Sequence, residues 1–139
     1  TGPFTAAGKT GGDLLDVDFG PDRGIHRAAW RPLTSEEIGD GTLDLIRIVG
    51  GNNRAIYLRT NLVADSDQDV VLGIGSDDGV KVWVNGDLVH RNNAARPVST
   101  AEDKARVSLH KGDNPLLMKI TQSEGGWGAS LLLLPPPAE

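Results

Sequence analysis

Apolar and polar residues alternate with a period of two through much of the chain after residue 54, and most cleanly between Val80 and His90. Val80, Val82 and Val84 alternate with Lys81 and Trp83, the pattern of a strand with one buried face. Asn85-Gly86 interrupts the run and Asp87 to His90 resumes it. Asn-Gly between two such runs favours a type I′ turn, because both residues adopt positive φ at little cost, so the pattern predicts a β-hairpin. Residues 55–63 read as another strand, with Ile56, Leu58, Thr60 and Leu62 on one face and Tyr57, Arg59 and Asn61 on the other. Further strands are expected over 70–74, 105–109, 115–121 and 127–134, with turns at Asp65–Asp69, Lys111–Asn114 and Gly125-Gly126.

The first third is less regular. Residues 1–12 read as an irregular lead-in anchored by Phe4. Leu15, Val17 and Phe19 alternate with Asp16 and Asp18, predicting a short strand over 14–19 that ends at Gly20-Pro21-Asp22. A strand over 26–33 is expected around Trp30. Thr34 and Glu37 are spaced as a capping box and should start one helical turn, stopped by Gly39-Asp40-Gly41. Residues 43–49 suit a short strand or a turn, and 92–103, with Pro97, form a long loop. Eight or nine strands with turn signals every eight to twelve residues predict an all-β fold. The expected architecture is a jelly-roll β-sandwich of about eight or nine antiparallel strands, one module over 1–134. Pro135-Pro136-Pro137 would open a stiff tail or linker over 135–139.

Composition narrows the function. The 139 residues suit one core, and 18 glycines with 8 prolines favour turns over helices. A net charge of −5 with scattered basic residues argues against a nucleic-acid partner. The longest apolar run, Leu131 to Leu134, is far too short to span a membrane, so no membrane partner is expected. Thr1-Gly2-Pro3 shows no signal-like character and reads as a module boundary. Without cysteine there is no disulfide or Cys-ligated zinc, which leaves export open.

Catalytic motifs are not evident. There is no Gly-x-Ser-x-Gly elbow, and His26, His90 and His110 stand far apart. Gly73-Ile74-Gly75 leads into a hairpin rather than a helix, against a dinucleotide site. Asp65, Asp67 and Asp69 copy the first spacing of a helix-loop-helix calcium loop but lack its glycine and final Glu, so a polar turn is the better reading. The chain is therefore expected not to be an enzyme; a hydrolase using loop carboxylates is the weakest alternative. Binding chemistry is better represented. Sugar recognition needs aromatic faces for C–H patches and amides or charged groups for hydroxyls. Trp127, between glycines, and Trp83, opposite Val82 and Val84, are candidate platforms, although core packing explains either. Trp30, in mid-strand, reads as core. Arg91, Asn92 and Asn93, with Arg96 and Gln122-Ser123-Glu124 nearby, supply polar groups. Adjacent Asp77 and Asp78, between Ser76 and Gly79, form either a solvated turn or a cation-binding loop, since like charges side by side need screening.

Ile74 to Val89 resembles the central hairpin of protective-antigen-type domains (anthrax toxin and yeast adhesins), and is similar to the matching hairpin in galactose-binding-like jelly rolls of bacterial glycosidases. Val107 to Gln122 followed by Gly125 to Leu131 resembles the closing strands of these modules. The likeness covers about Tyr57 to Leu133. It implies a carbohydrate-binding module appended to a larger secreted or cell-surface bacterial enzyme, with polysaccharide or oligosaccharide and the parent catalytic domain as partners. In the adhesin branch a cis-linked Asp-Asp pair holds Ca2+, which in turn holds sugar hydroxyls. That role would fall to Asp77 and Asp78, with Asn92 or Asn93 as a third ligand. The alternative is a structural or protein-interaction module packing against a neighbouring catalytic domain.

Overall fold

The structure, a computed structural model, describes residues 4–6, 9–24, 30–39, 42–99 and 101–134. Where the alternation is strong, strands form: β1 (Thr42–Asp44), β2 (Arg54–Ala64), β3 (Gln68–Asp77), β4 (Val80–Val84), β5 (Asp87–Asn92), β6 (Asp103–Leu109), β7 (Gly112–Gln122) and β8 (Gly128–Leu134). They make two four-stranded antiparallel sheets, ordered β1-β8-β3-β6 and β2-β7-β4-β5. Sequential strands β2 and β3 lie in different sheets, so the chain winds between layers as a β-sandwich does. The expected hairpin is present. Asn85 and Gly86 join β4 to β5 with φ of 51° and 83°, both in the left-handed region that this turn needs.

Between the sheets lies a core that includes Leu72, Ile74, Val80, Val82 and Ile120, all fully buried. Burial of each such side chain is worth about 1.5–3 kcal/mol relative to exposure. Ile56 and Leu62 face this core from β2, as their alternation predicts. Tyr57, on the opposite face, is also buried, at 1% exposure. Residues 9–24 run across that outer face: Lys119 of β7 donates to the carbonyls of Leu15 (2.9 Å) and Val17 (2.5 Å) and pairs with Asp22 at 3.1 Å. Tyr57 hydrogen-bonds Asp22, and Phe4 packs against both Phe19 and Tyr57.

This covering segment corrects one sequence expectation. Residues 14–19 are not a strand: a 3-10 turn over Gly11–Leu14 leads into a bend, and consecutive Leu14 and Leu15 are both fully buried. The 3-10 turn packs on β7 and β2, and that packing overrode the loose alternation. Of the strand expected over 26–33, residues 25–29 lie outside the described residues, and Trp30 to Leu33 have no regular structure. Trp30 is half-buried rather than core, with the Arg59 guanidinium 4.0 Å above its ring. The capping box stands as expected. Thr34 Oγ1 accepts from the Glu37 N–H at 3.1 Å, Glu37 accepts from the Thr34 N–H at 3.0 Å, and one helical turn, α1 (Ser35–Ile38), follows. The Asp44 side chain caps a second turn, α2 (Leu45–Ile48). The Pro-rich tail at 135–139 lies outside the described residues.

Glycines in β3 place the long loop between β5 and β6. A Cβ on Gly75 would lie 2.1 Å from the Ser99 carbonyl oxygen, so only a bare backbone lets Ser99 lie this close to the sheet. That packing carries Arg96 back to the end of β3, where the candidate site sits.

Candidate functional site

At one end of the sandwich β3 passes into β4 through Asp77-Asp78-Gly79, and the Asp77–Asp78 peptide is cis, as the resemblance implies. The backbone is held from several sides. Asp78 N–H donates to the Thr121 carbonyl and Thr121 N–H to the Gly79 carbonyl, both at 2.9 Å. Ser123 N–H donates to Asp78 Oδ2 at 3.0 Å. Ser76, fully buried, donates from Oγ to the Asp78 carbonyl at 2.7 Å. The loop before β8 closes the opposite flank: a Cβ on Gly126 would fall 2.8 Å from Asp77 Oδ2.

The electrostatics are unbalanced. No basic side chain forms a salt bridge with Asp77 or Asp78 among the described residues. Burial, the hydrogen bond to Asp78 and the charges of Asp78 and Glu102 push the Asp77 carboxyl up to about 7. Nearby Arg96 is engaged elsewhere, with a fork onto Asp103 (2.9 Å twice) and a 2.9 Å contact with Glu102. That guanidinium holds Asp103 well below the usual carboxylate range.

The sequence-predicted residues divide. Asp77 and Asp78 are adjacent on the loop and Asn93 lies beside the next residue: its Oδ1 is 3.5 Å from where a Gly79 Cβ would be, while its amide reaches the Gly12 carbonyl at 3.4 Å. Asn92 sits at the same end, but its amide donates to Asp103 at 3.1 Å. Arg91 forks onto Asp16 (3.1 and 2.5 Å), where Lys81 joins at 2.8 Å, so it clamps the N-terminal segment rather than offering a free guanidinium. Trp127 requires a correction. Its side chain is 3% exposed and belongs to the core, so it presents no ring face to a sugar. Its Nε1 is buried without a hydrogen-bond partner among the described residues. Trp83 is half-buried on the outer face of its sheet, opposite Leu117 and Leu88 and a few residues along β4 from the acidic pair. The Asp67 and Asp69 side chains serve the backbone of Lys111 and the side chains of Arg106 and Ser108, in keeping with a polar turn.

Sequence reasoning missed Ser76, Asp103 and Thr121, which fix the acidic loop from behind. The available signal was the run Gly73-x-Gly75-Ser76, small residues on a strand that admit another backbone.

The donors at this end are oxygens: two carboxylates and the Asn93 amide oxygen. That set suits a hard cation such as Ca2+, and the glycines at 79 and 126 let Thr121 Oγ1 and Asp77 Oδ2 approach the backbone closely. Among the described residues no group of three or more His, Cys, Asp or Glu side chains is arranged to hold a metal, so protein carboxylates alone would fill only part of a calcium shell. A cleft of about 1010 Å3, lined by apolar residues including Leu43, Val49, Ile56, Leu58 and Leu131, opens between the sheets near β1 and β2. None of the sequence-predicted site residues lines it.

No protein-family model matches the sequence, and no curated protein does. Solved structures do. The β-glucosidase from Kluyveromyces marxianus matches 70% of this chain with a TM-score of 0.56 at 12% identity. The same enzyme in complex with glucose gives 0.53 at 13% identity. The Podospora anserina GH26-CBM35 β-(1,4)-mannanase matches 62% of the chain with a TM-score of 0.41 at 16% identity. The chain spans 13% of the β-glucosidase and 20% of the mannanase. The likeness to the β-glucosidase establishes a small all-β sandwich also present within a glycosidase chain.

Proposed function

We propose that this chain is a non-catalytic carbohydrate-binding module of a larger secreted bacterial enzyme, with residues 1–134 as the module and 135–139 opening a linker toward the catalytic domain. The observation that carries the reading is the adjacent Asp77–Asp78 pair at the β3–β4 loop, two half-buried carboxylates that form no salt bridge with a basic side chain among the described residues. Bound there, Ca2+ would supply a charge to which sugar hydroxyls coordinate. Asp77 and Asp78 would hold the ion, Asn93 would complete the protein's share, and water and sugar hydroxyls would take the remaining positions. With Trp127 in the core and Arg91 and Asn92 committed to acidic partners, the ion rather than stacking carries the contact, and Trp83 is left as a separate outer-face platform. The glycosidase chains that contain a similar sandwich support a carbohydrate-linked role. An open loop end buries little of a sugar, so affinity should fall in the micromolar to millimolar range.

A panel of soluble polysaccharides run against this chain in Ca2+ and in EDTA tests the reading. It predicts retardation by at least one glycan in Ca2+, lost in EDTA and in Asp77→Ala. No retention by any glycan in Ca2+, or retention indifferent to EDTA, contradicts it. A second reading, a structural module packed on the parent catalytic domain, is favoured by one observation: the burial of Trp127. Measurable affinity for that domain with no retained glycan would select it.

A further inference from the structure

One polar chain runs from the interior to the acidic pair. Asp103 accepts from Asn92 Nδ2 at 3.1 Å, contacts His90 Nε2 at 2.9 Å and receives the Arg96 fork. Arg96 turns its remaining donors on Ser76: Nε reaches the Ser76 carbonyl at 3.1 Å and Nη2 reaches Ser76 Oγ at 3.0 Å. Ser76 Oγ then donates its proton to the Asp78 carbonyl at 2.7 Å. The hydroxyl has one proton, and Arg96 supplies only donors to it, so the guanidinium leaves Oγ no choice but to point that proton at Asp78. Each link is short, and the serine is fully buried.

We propose that Arg96, acting through Ser76, is the positioning residue for the Asp77–Asp78 pair; this rests on the reading of that pair as a cation site. Arg96 sits on the loop laid over Gly75, and its planar fork engages Asp103 and Ser76 at once, a geometry that an ammonium does not reproduce. The network fixes the Asp78 carbonyl from behind while Thr121 and Ser123 fix the backbone N–H of Asp78 and its carboxylate from the front. The Asp78 carboxylate and the backbone beside Asp77 are thereby fixed before any ligand arrives. The same guanidinium occupies Asp103 and Glu102, which keeps those carboxylates on Arg96.

The test uses the full chain with Ser76→Ala, Arg96→Lys and the double variant. Calorimetric titration with CaCl2 reads affinity. Amide hydrogen exchange in EDTA reads the loop without any cation, at Asp78 and Ser123, with Ile56 and Ile120 as markers of the intact sandwich. Loss of a group that orients a metal ligand lowers affinity by roughly 10–100-fold. Each single variant should weaken Ca2+ binding by that much and speed exchange at Asp78 and Ser123, leaving Ile56 and Ile120 unchanged. The double variant should be no weaker than Arg96→Lys alone, because both residues act along one path. Wild-type affinity in both single variants, or unchanged exchange at Asp78 and Ser123, overturns the proposal. If the wild-type chain binds no Ca2+, the functional reading fails by itself, and the exchange data still decide whether Arg96 orders the loop. If Arg96→Lys does not fold, Asp103→Asn loosens the same fork and is judged by the same two readouts.

Discussion

Two places in this molecule crowd charged groups together, and they resolve the crowding in opposite ways. On the outer face of β7, Lys119 is fully buried, yet its ammonium finds two carbonyls and Asp22, with Phe19 and Tyr57 rings around it. Burial lowers the Lys119 pKa and the Asp22 charge pulls it part of the way back, so the cost of desolvation is partly offset inside the fold. At the β3–β4 loop, two carboxylates stand side by side with no basic residue paired to them among the described residues, and Asp77 is left holding its proton up to about 7. The first cluster is closed and fastens the N-terminal segment. The second is open, and on the proposed reading it is where a cation would bind.

The largest effect should come from opening the closed cluster. Lys119→Met strands Asp22 and two buried carbonyls and should cost about 3–5 kcal/mol in urea unfolding, since removing one partner leaves the other uncompensated. A loss below about 1 kcal/mol would mean that solvent already reaches the cluster. The tryptophans follow the same division between interior and surface. Trp127→Ala should cost about 3–5 kcal/mol as a core deletion, whereas Trp83→Ala should cost about 1 kcal/mol, read from the same curves.

Neutralising the open pair should do the reverse. Asp77→Asn in EDTA at neutral pH removes the repulsion and should raise Tm slightly, on the order of 2 °C. The smallest expected signal is the pH dependence of the ligand-free protein. Folded, Asp77 keeps its proton up to about 7; unfolded, it loses it near 3.8. Between those values the native state binds the extra proton, so this group's contribution to stability falls as pH rises through the window and is flat above it. Subtracting the Asp77→Asn profile from that of wild type should leave this decline. A difference that rises with pH would place a cationic partner beside Asp77.

What could be read from the sequence follows from how local the cause is. The Asn85-Gly86 turn and the Thr34–Glu37 capping box are set by neighbours within four residues, and both stand in the structure. The strands from 54 onward announce themselves through alternation against one core. Residues 14–19 misled because their burial is imposed by Lys119 and Tyr57, distant in sequence, rather than by their own period. Trp127 between glycines read as either a platform or core, and the structure selects core: those glycines are where Asp77 and Val98 approach, and the ring turns inward. The acidic pair was legible because its residues are adjacent. The roles of its supports were not: Arg96 read only as a polar group for hydroxyls and Asp103 did not stand out, because a loop without periodicity carries no sign of which strand it will lie on.

Thermal unfolding of the wild-type chain and of Asp77→Asn, each in excess Ca2+ and in EDTA, tests the central claim most directly. A ligand bound only by the folded state adds stability in proportion to the logarithm of its excess over Kd, about 2.7 kcal/mol at a hundredfold excess. The open-pair account predicts a clear rise in Tm with Ca2+ for wild type and none for Asp77→Asn. Identical melting of the wild-type chain in Ca2+ and in EDTA would contradict it.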